Sequence, residues 1–298
     1  MTSVVWADGQ LRPPTEPVYT ALDHGVTVGD GVYETIAMRN GQPFALTRHL
    51  LRLQYSAERL GIRDIDVHWI REGISQVIAA RPQDIVRLRV TVTSGPGPMG
   101  YLRDGGPSSV VIIGGPSVRP RQCVAVRAPW KRNERSPLAG VKTTSTAENV
   151  VMAQFAREKG ADEAIVSNTH GHLCEGTSTN IFIERNGEVL TPSLASGCLP
   201  GITRGLVLEW GARAGLPVRV AAPGELPMSV LDEVVRGEAH ASVTSTTRGV
   251  QPIARLDGAD VKPGPVLTRL ATLFDQYASA DPDPTPPRGA VTRRDPVR

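Results

Sequence analysis

The sequence predicts a mixed α/β protein built from two domains. Segment 85–92 alternates apolar and polar residues as a strand does and 109–113 reads as another strand, while 47–60 and 68–80 carry apolar residues at helical spacing. A stretch rich in proline and arginine, 114–140, then separates this half from a second set of strands and helices. With 298 residues the chain is long enough for two cores. The expected division is a smaller N-terminal α/β domain over 1–118, a connecting segment over 119–136 and a larger C-terminal domain over 137–278. An Asp/Pro/Arg-rich tail over 279–298, with little to bury, is expected to be disordered.

Trp6 to Leu11 reads as a hairpin turned by Asp8-Gly9. The helix over 47–60 places Leu50, Leu53, Ala57 and Leu60 on one face and stops at Gly61. A second helix, 68–80, ends before Pro82. Cys123-Val124-Ala125-Val126 is the one strand in the proline-rich stretch. Beyond it, 148–159 is helical up to Gly160, and Asn186-Gly187 turns a hairpin between 180–184 and 188–190. Helices over 203–214, 227–236 and 267–277, with a strand over 239–246, complete the pattern.

Composition narrows the function. Apolar residues make up 40% and charged residues 21%, as in an ordinary globular protein, and the formal net charge is only +3. The basic residues are scattered without interleaved aromatics, so no nucleic-acid surface is expected. No stretch approaches a membrane span, and no membrane partner is expected. Cys123, Cys174 and Cys198 have neither disulfide nor zinc spacing, the histidines form no metal motif, and no metal is expected. The first residues lack an export signal, which gives the expectation of a cytoplasmic location.

Several segments could carry chemistry. Lys142, in Gly140-Val141-Lys142-Thr143-Thr144-Ser145 at the end of a short apolar run, could bond an aldehyde if partly desolvated, although a solvated surface lysine is the ordinary reading. Glu175, before Gly176-Thr177-Ser178-Thr179-Asn180, could face a ring nitrogen or be a loop acid. Gly201-Ile202-Thr203-Arg204 opens a helix, so the Ile202 and Thr203 amides could meet a phosphate, or Thr203 could be a plain cap. Ser245 and Thr246 add hydroxyls, and Arg52 could add a charge or lie on a solvated helix face. An aldehyde-bonding amine, a ring acid and a phosphate cup together point to pyridoxal 5′-phosphate. Arg87 and Arg89 share one strand face, as a carboxylate clamp or as an exposed ladder. The loop from Ser94 to Arg103, with Tyr101, and the Lys131-Arg132 pair could line an entrance.

The chain resembles the class-IV aminotransferase family, the fold-type-IV pyridoxal phosphate enzymes. Its matching segments are Gly29-Asp30-Gly31-Val32-Tyr33-Glu34-Thr35, His49-Leu50-Leu51-Arg52-Leu53, Val141 to Ser145, Glu175 to Phe182, Leu199 to Arg204, and Ser245-Thr246. That group includes branched-chain aminotransferases, D-amino-acid transaminases, R-selective amine transaminases and 4-amino-4-deoxychorismate lyase. The resemblance implies two domains with the cofactor at their interface, and a homodimer. It makes Lys142 similar to the cofactor-bonding lysine and Glu175 to the ring-nitrogen acid. Arg52, Ile202, Thr203 and Thr246 look like the phosphate set, with Ser178, Thr179 and Ser245 beside them. Val28, Tyr33 and Thr35 join Arg87, Arg89 and Tyr101 as candidate substrate contacts.

Three departures bear on the substrate. Thr146 stands where many relatives carry tyrosine. Met99-Gly100-Tyr101 replaces the Arg-x-His pair of well-known D-amino-acid transaminases. Thr35 matches a threonine implicated in the chorismate lyase. The leading expectation is an aminotransferase moving an amino group from an amino acid (D- or branched-chain) or an amine to a 2-keto acid. The alternative is 4-amino-4-deoxychorismate lyase, releasing 4-aminobenzoate and pyruvate.

Overall fold

The computed structural model describes residues 3–63, 65–118, 120 and 122–286. The chain divides into two compact units, Met1–Ser117 with Val141–Ser145 and Asp281–Arg298, and Val118–Gly140 with Thr146–Ala280.

The first unit is built on β1 (Val4–Ala7), β2 (Gln10–Arg12), a short helix α1 (His24–Thr27), β3 (Gly31–Arg39), β4 (Gln42–Pro43), α2 (Leu46–Leu60), α3 (Val67–Ala80), β5 (Arg87–Thr93) and β6 (Ser109–Gly115). Its six strands form an antiparallel sheet in the order β2-β1-β6-β5-β3-β4. Asp8 and Gly9 both take positive φ (45° and 99°), the geometry a two-residue hairpin turn needs. Alternation sends Trp6, Val32, Ile36, Leu88, Val90 and Ile112 to one face, where Leu50 and Leu53 of α2 and Ile70, Ile74 and Val77 of α3 meet them. Gly73 allows the close approach of α3, since a Cβ there would lie 2.8 Å from Ile112 and 2.9 Å from Trp6.

The second unit contains β7 (Cys123–Arg132), α4 (Ala147–Glu158), β8 (Glu163–Asn168), β9 (Leu173–Gly176), β10 (Asn180–Arg185), β11 (Glu188–Thr191), a 3₁₀ turn (Leu194–Ser196), α5 (Ile202–Arg213), β12 (Val218–Val220), α6 (Val230–Arg236), β13 (His240–Ser245), β14 (Gly249–Leu256), β15 (Ala259–Asp260) and α7 (Pro265–Ala280). Its sheet is mixed, in the order β12-β11-β10-β13-β14-β7-β8-β9, with β15 on β14. The β14–β7, β7–β8 and β11–β12 pairs are parallel. Ile165, Leu173, Ile181, Ile183, Val243 and Ile253 form its core with Val230 and Leu231 of α6. Trp210 of α5 meets Phe274 and Tyr277 of α7.

Two expectations about the chain's division differ from this structure. The second domain does not run unbroken from residue 137, because Val141–Ser145 belongs to the first unit: Thr143 bridges to Val32, and Thr144 N donates to Gly31 O at 2.8 Å. The tail is not wholly irregular either. Helix α7 continues to Ala280, and Pro282 O and Asp283 accept from Ala45 N (2.6 Å) and Thr47 N (2.8 Å). Ala45, at the start of α2, has φ 53° and no side-chain acceptor, so Asp283 serves as the cap, accepting from the Thr47 amide and hydroxyl. The rest of the expected tail, 287–298, lies outside the described residues, as do Arg119 and Arg121 of the connecting segment.

Candidate active site

In the first unit, β3 sorts its side chains by alternation. Glu34 faces the helices between Val32 and Ile36, while Tyr33 and Thr35 take the other face. Across the register Thr35 pairs with Arg89 and Tyr33 with Thr91. Lys142 arrives beside this strand: its carbonyl accepts from Tyr33 N at 3.0 Å and its amide donates to Ser56 Oγ at 3.2 Å. Lys142 Nζ then stands 4.5 Å from the centre of the Tyr33 ring, and the Arg89 guanidinium stacks on the same ring at 3.7 Å. Two candidates that are far apart in sequence, Lys142 and Arg89, thus share the ring of a third.

The Thr/Ser run after Lys142 explains the glycines of Gly29-Asp30-Gly31. Thr144 Oγ1 and Ser145 Oγ both donate to Gly29 O at 2.9 Å, and Thr143 Oγ1 donates to Gly31 O at 3.0 Å. A Cβ on Gly29 would come within 2.6 Å of Ser145 Oγ, and one on Gly31 within 2.9 Å of Thr144 Oγ1. These bonds staple the lysine segment to the turn. Of the remaining substrate candidates, Val28 follows α1 and is half-buried, Arg87 is exposed, and Tyr101 is 87% exposed on its loop.

Beneath Tyr33, on the helix side, Glu34 is completely buried. Arg52 of α2 meets it with Nε on Oε1 at 2.7 Å and Nη2 on Oε2 at 2.8 Å, and His49 Nδ1 reaches Oε2 at 2.6 Å. Burial alone would raise the Glu34 carboxyl, but the charges and hydrogen bonds of Arg52 and His49 overrule it and hold it at about 2. Burial pushes His49 down against the pull of Glu34, with Arg52 and Lys142 adding to the fall. Facing a carboxylate oxygen that only accepts, His49 Nδ1 carries a proton and donates it. Sequence reading passed over Glu34 and His49. A charge set between two apolar residues on a strand's buried face, and a histidine three positions before Arg52, were the available signals.

In the second unit, Glu175 stands next to last in β9, with Oε2 accepting from Leu199 N at 2.9 Å and Oε1 3.4 Å from Arg132 Nε. Arg132 also reaches Glu148, at 3.2 Å, and Lys131 Nζ donates to Ser167 Oγ at 2.7 Å. Asn180 Nδ2 donates to Leu199 O at 2.8 Å, and a Cβ on Gly201 would fall 1.9 Å from Asn180 Oδ1. This glycine is the N-cap of α5, with no side-chain cap bond among the described residues, and it leads into half-buried Ile202 and buried Thr203. Ser245 Oγ accepts from Arg248 N at 3.3 Å, and Thr246 follows in the turn, half-buried. Ser178 is exposed, while the buried hydroxyls of Thr179 and Thr244 have no hydrogen-bond partner among the described residues.

Glu163 supports the turn after Glu175, accepting from Ser178 N at 3.1 Å on Oε1. Its Oε2 is buried without a hydrogen bond among the described residues, with Arg248 Nη2 3.7 Å away. Burial dominates and pushes the carboxyl up to about 7. The folded state therefore holds a proton that the unfolded state releases at lower pH. Stability from this group is complete below the ordinary carboxylate range and is lost as pH rises towards about 7. Glu163→Gln should remove that loss, leaving the variant about 1–3 kcal/mol more stable than wild type at pH 8 and near parity at pH 5. Urea unfolding at the two pH values checks this, and an equal difference at both would reject it.

Among the described residues, no helix is long and apolar enough to cross a membrane. Residues 31–256 match the family model for amino-transferase class IV. The chain is similar to D-alanine aminotransferase of Bacillus licheniformis, 29% identical over 272 residues that cover 89% of this chain and 93% of the relative. It is similar in structure to the branched-chain aminotransferase of Thermoproteus uzoniensis solved with norvaline, with a TM-score of 0.81, 28% identity and coverage of 93% and 95%. A Legionella pneumophila protein assigned as a 4-amino-4-deoxychorismate lyase superposes with a TM-score of 0.79 at 25% identity, covering 88% of this chain and 96% of that one. With a family match that runs from the start of β3 to the end of β14, the chain is an enzyme of the class IV aminotransferase family.

Proposed function

We propose that this enzyme uses pyridoxal 5′-phosphate to move an amino group between an amino acid, D- or branched-chain, and a 2-keto acid. The observation that carries the reading is the shared Tyr33 ring, with Lys142 Nζ and the Arg89 guanidinium both on it. A half-buried arginine stacked on tyrosine, its Nε 3.4 Å from Thr91 Oγ1, suits a substrate carboxylate near a reactive amine. This favours an amino acid over a simple amine.

The donor set fits the cofactor. Ile202 and Thr203 offer first-turn amides to a phosphate, and Ser178, Thr179, Ser245 and Thr246 lie at strand ends or turns with hydroxyls to add. Arg52 would add a charge-assisted bond, and Glu175 would accept a hydrogen bond from the ring nitrogen. When bound, the cofactor supplies an aldehyde for the substrate amine and a ring that takes up the electron pair of the broken C–H bond. Lys142 would hold that aldehyde until the substrate arrives. Its freed amine would then accept the proton from the substrate carbon and return it one position further along. Arg89 would fix the carboxylate so that the C–H bond faces Nζ.

A second reading, 4-amino-4-deoxychorismate lyase, is favoured by Thr35 and by the similarity to the Legionella protein. We also read the enzyme as a homodimer, whose second copy would cover exposed Met99, Tyr101 and Leu102. Its three buried free thiols suit a reducing cytoplasm. The absorbance of the cofactor-loaded protein tests the reaction. D-Alanine or L-leucine should convert it to the aminated form, reversed by a 2-keto acid, while R-phenylethylamine should react poorly. Pyruvate release from 4-amino-4-deoxychorismate without net amination would install the lyase instead, and no response to any of these would reject both.

A further inference from the structure

Glu34 is an expensive residue to keep where it is. It projects from β3 into the face that Val32 and Ile36 fill, and its side chain is wholly excluded from water. Burying an ion pair costs desolvation that its own attraction barely recovers, and apolar replacements of similar volume are often as stable or more so. The packing of α2 on the sheet therefore gives no reason for a carboxylate at this position. Its reason lies in what it does to Arg52.

An arginine side chain free to sample its rotamers loses much of its binding energy in ordering. Here two of the three guanidinium nitrogens are tied to one carboxylate in a parallel fork, which fixes the plane of the group. The carboxylate cannot rotate in turn, because His49 Nδ1 holds Oε2 from the same helix, three residues before Arg52. His49 Nε2 is itself buried, with no hydrogen-bond partner among the described residues, so the ring makes its one polar bond to Glu34.

We propose that Glu34, braced by His49, is a positioning residue that presets the Arg52 guanidinium for the cofactor's phosphate. The chain's preference for a phosphorylated over an unphosphorylated cofactor then depends on an anion that would itself repel phosphate. The inference rests on the cofactor reading above and adds a residue to it. Glu34 is not a catalytic residue. It acts through Arg52, and the test must separate that from a general loosening of the fold.

The measurement is the ratio of the dissociation constants for pyridoxal and pyridoxal 5′-phosphate, from absorbance titrations of the full chain stripped of cofactor. Glu34→Gln should lower the ratio by about 10- to 100-fold, the range for a lost hydrogen bond to a charged group, while pyridoxal affinity changes less than about twofold. In an Arg52→Lys background, which lacks the fork, Glu34→Gln should lower the ratio little further. If Glu34→Gln does not fold, Glu34→Asp keeps the charge and withdraws the carboxylate by one methylene, and the same fall in ratio is expected. A parallel loss of affinity for both cofactors, or an unchanged ratio, overturns the proposal, as does full additivity with Arg52→Lys. A wild-type protein with no preference for the phosphorylated form would instead sink the cofactor reading, so the two failures are distinct.

Discussion

Lys142→Ala is expected to end borohydride-dependent attachment of pyridoxal 5′-phosphate and to lower turnover by about 10⁴-fold, the upper end of what a positioned proton-transfer group supplies. The fold should survive. The segment is held by backbone bonds to Tyr33 and Gly31 and by the Thr143, Thr144 and Ser145 hydroxyls, none of which needs the lysine amine. The lost contact of Nζ with the Tyr33 ring is worth about 0.5–1 kcal/mol. That contact by itself corresponds to a shift of about 1–4 °C in thermal midpoint. Peptide mapping after reduction, beside the rate and the melting curve, makes the check. Full-rate turnover by the alanine variant would remove Lys142 from the chemistry.

Glu175→Gln should cost turnover about 10²- to 10³-fold, as loss of a preorganised electrostatic group does, while cofactor affinity falls less than about tenfold. The separation follows from where the side chain is anchored. Its Oε2 bond to Leu199 N can be made by a glutamine oxygen, so the turn over Asn180 and Gly201 is retained. A neutral amide beside Arg132 cannot keep a ring nitrogen protonated, so the loss should fall on proton removal from the substrate carbon. Single-turnover absorbance changes and cofactor titrations on the same variant distinguish the two effects. Unchanged turnover would leave Glu175 the structural role of holding Leu199 N.

Much of the local structure was legible, and the reasons are specific. Gly61 ends α2 in the left-handed region at φ 77°, and Asn186 and Gly187 turn the β10–β11 hairpin at 53° and 75°, conformations the residue types themselves announce. Strand β3, by contrast, is not announced by its sequence, because Glu34 interrupts its apolar face with a charge. Strands β8 and β9 are short and buried along their length, so they show no alternation to find. Strand β7 runs on past Val126 through Pro129 to Arg132, where it lies beside Ser167 and Asn168 of β8 after a register shift. Helix α6 begins at Val230 rather than at Pro227, whose backbone is taken by a bridge to His172.

The residue types alone determined the chemistry this chain could attempt: an amine, a ring acid, first-turn amides and a set of hydroxyls, each named by what its side chain can donate or accept. Only the tertiary structure decided which of them meet. Lys142 and Arg89 share the Tyr33 ring, and Glu34 grips Arg52, because strand register and helix packing bring them together. The Thr143 hydroxyl and the Gly31 carbonyl, 112 positions apart, bond for the same reason. Local propensity is set by neighbours a few residues away, whereas these contacts depend on which strand lies beside which, a choice made by the burial of whole faces.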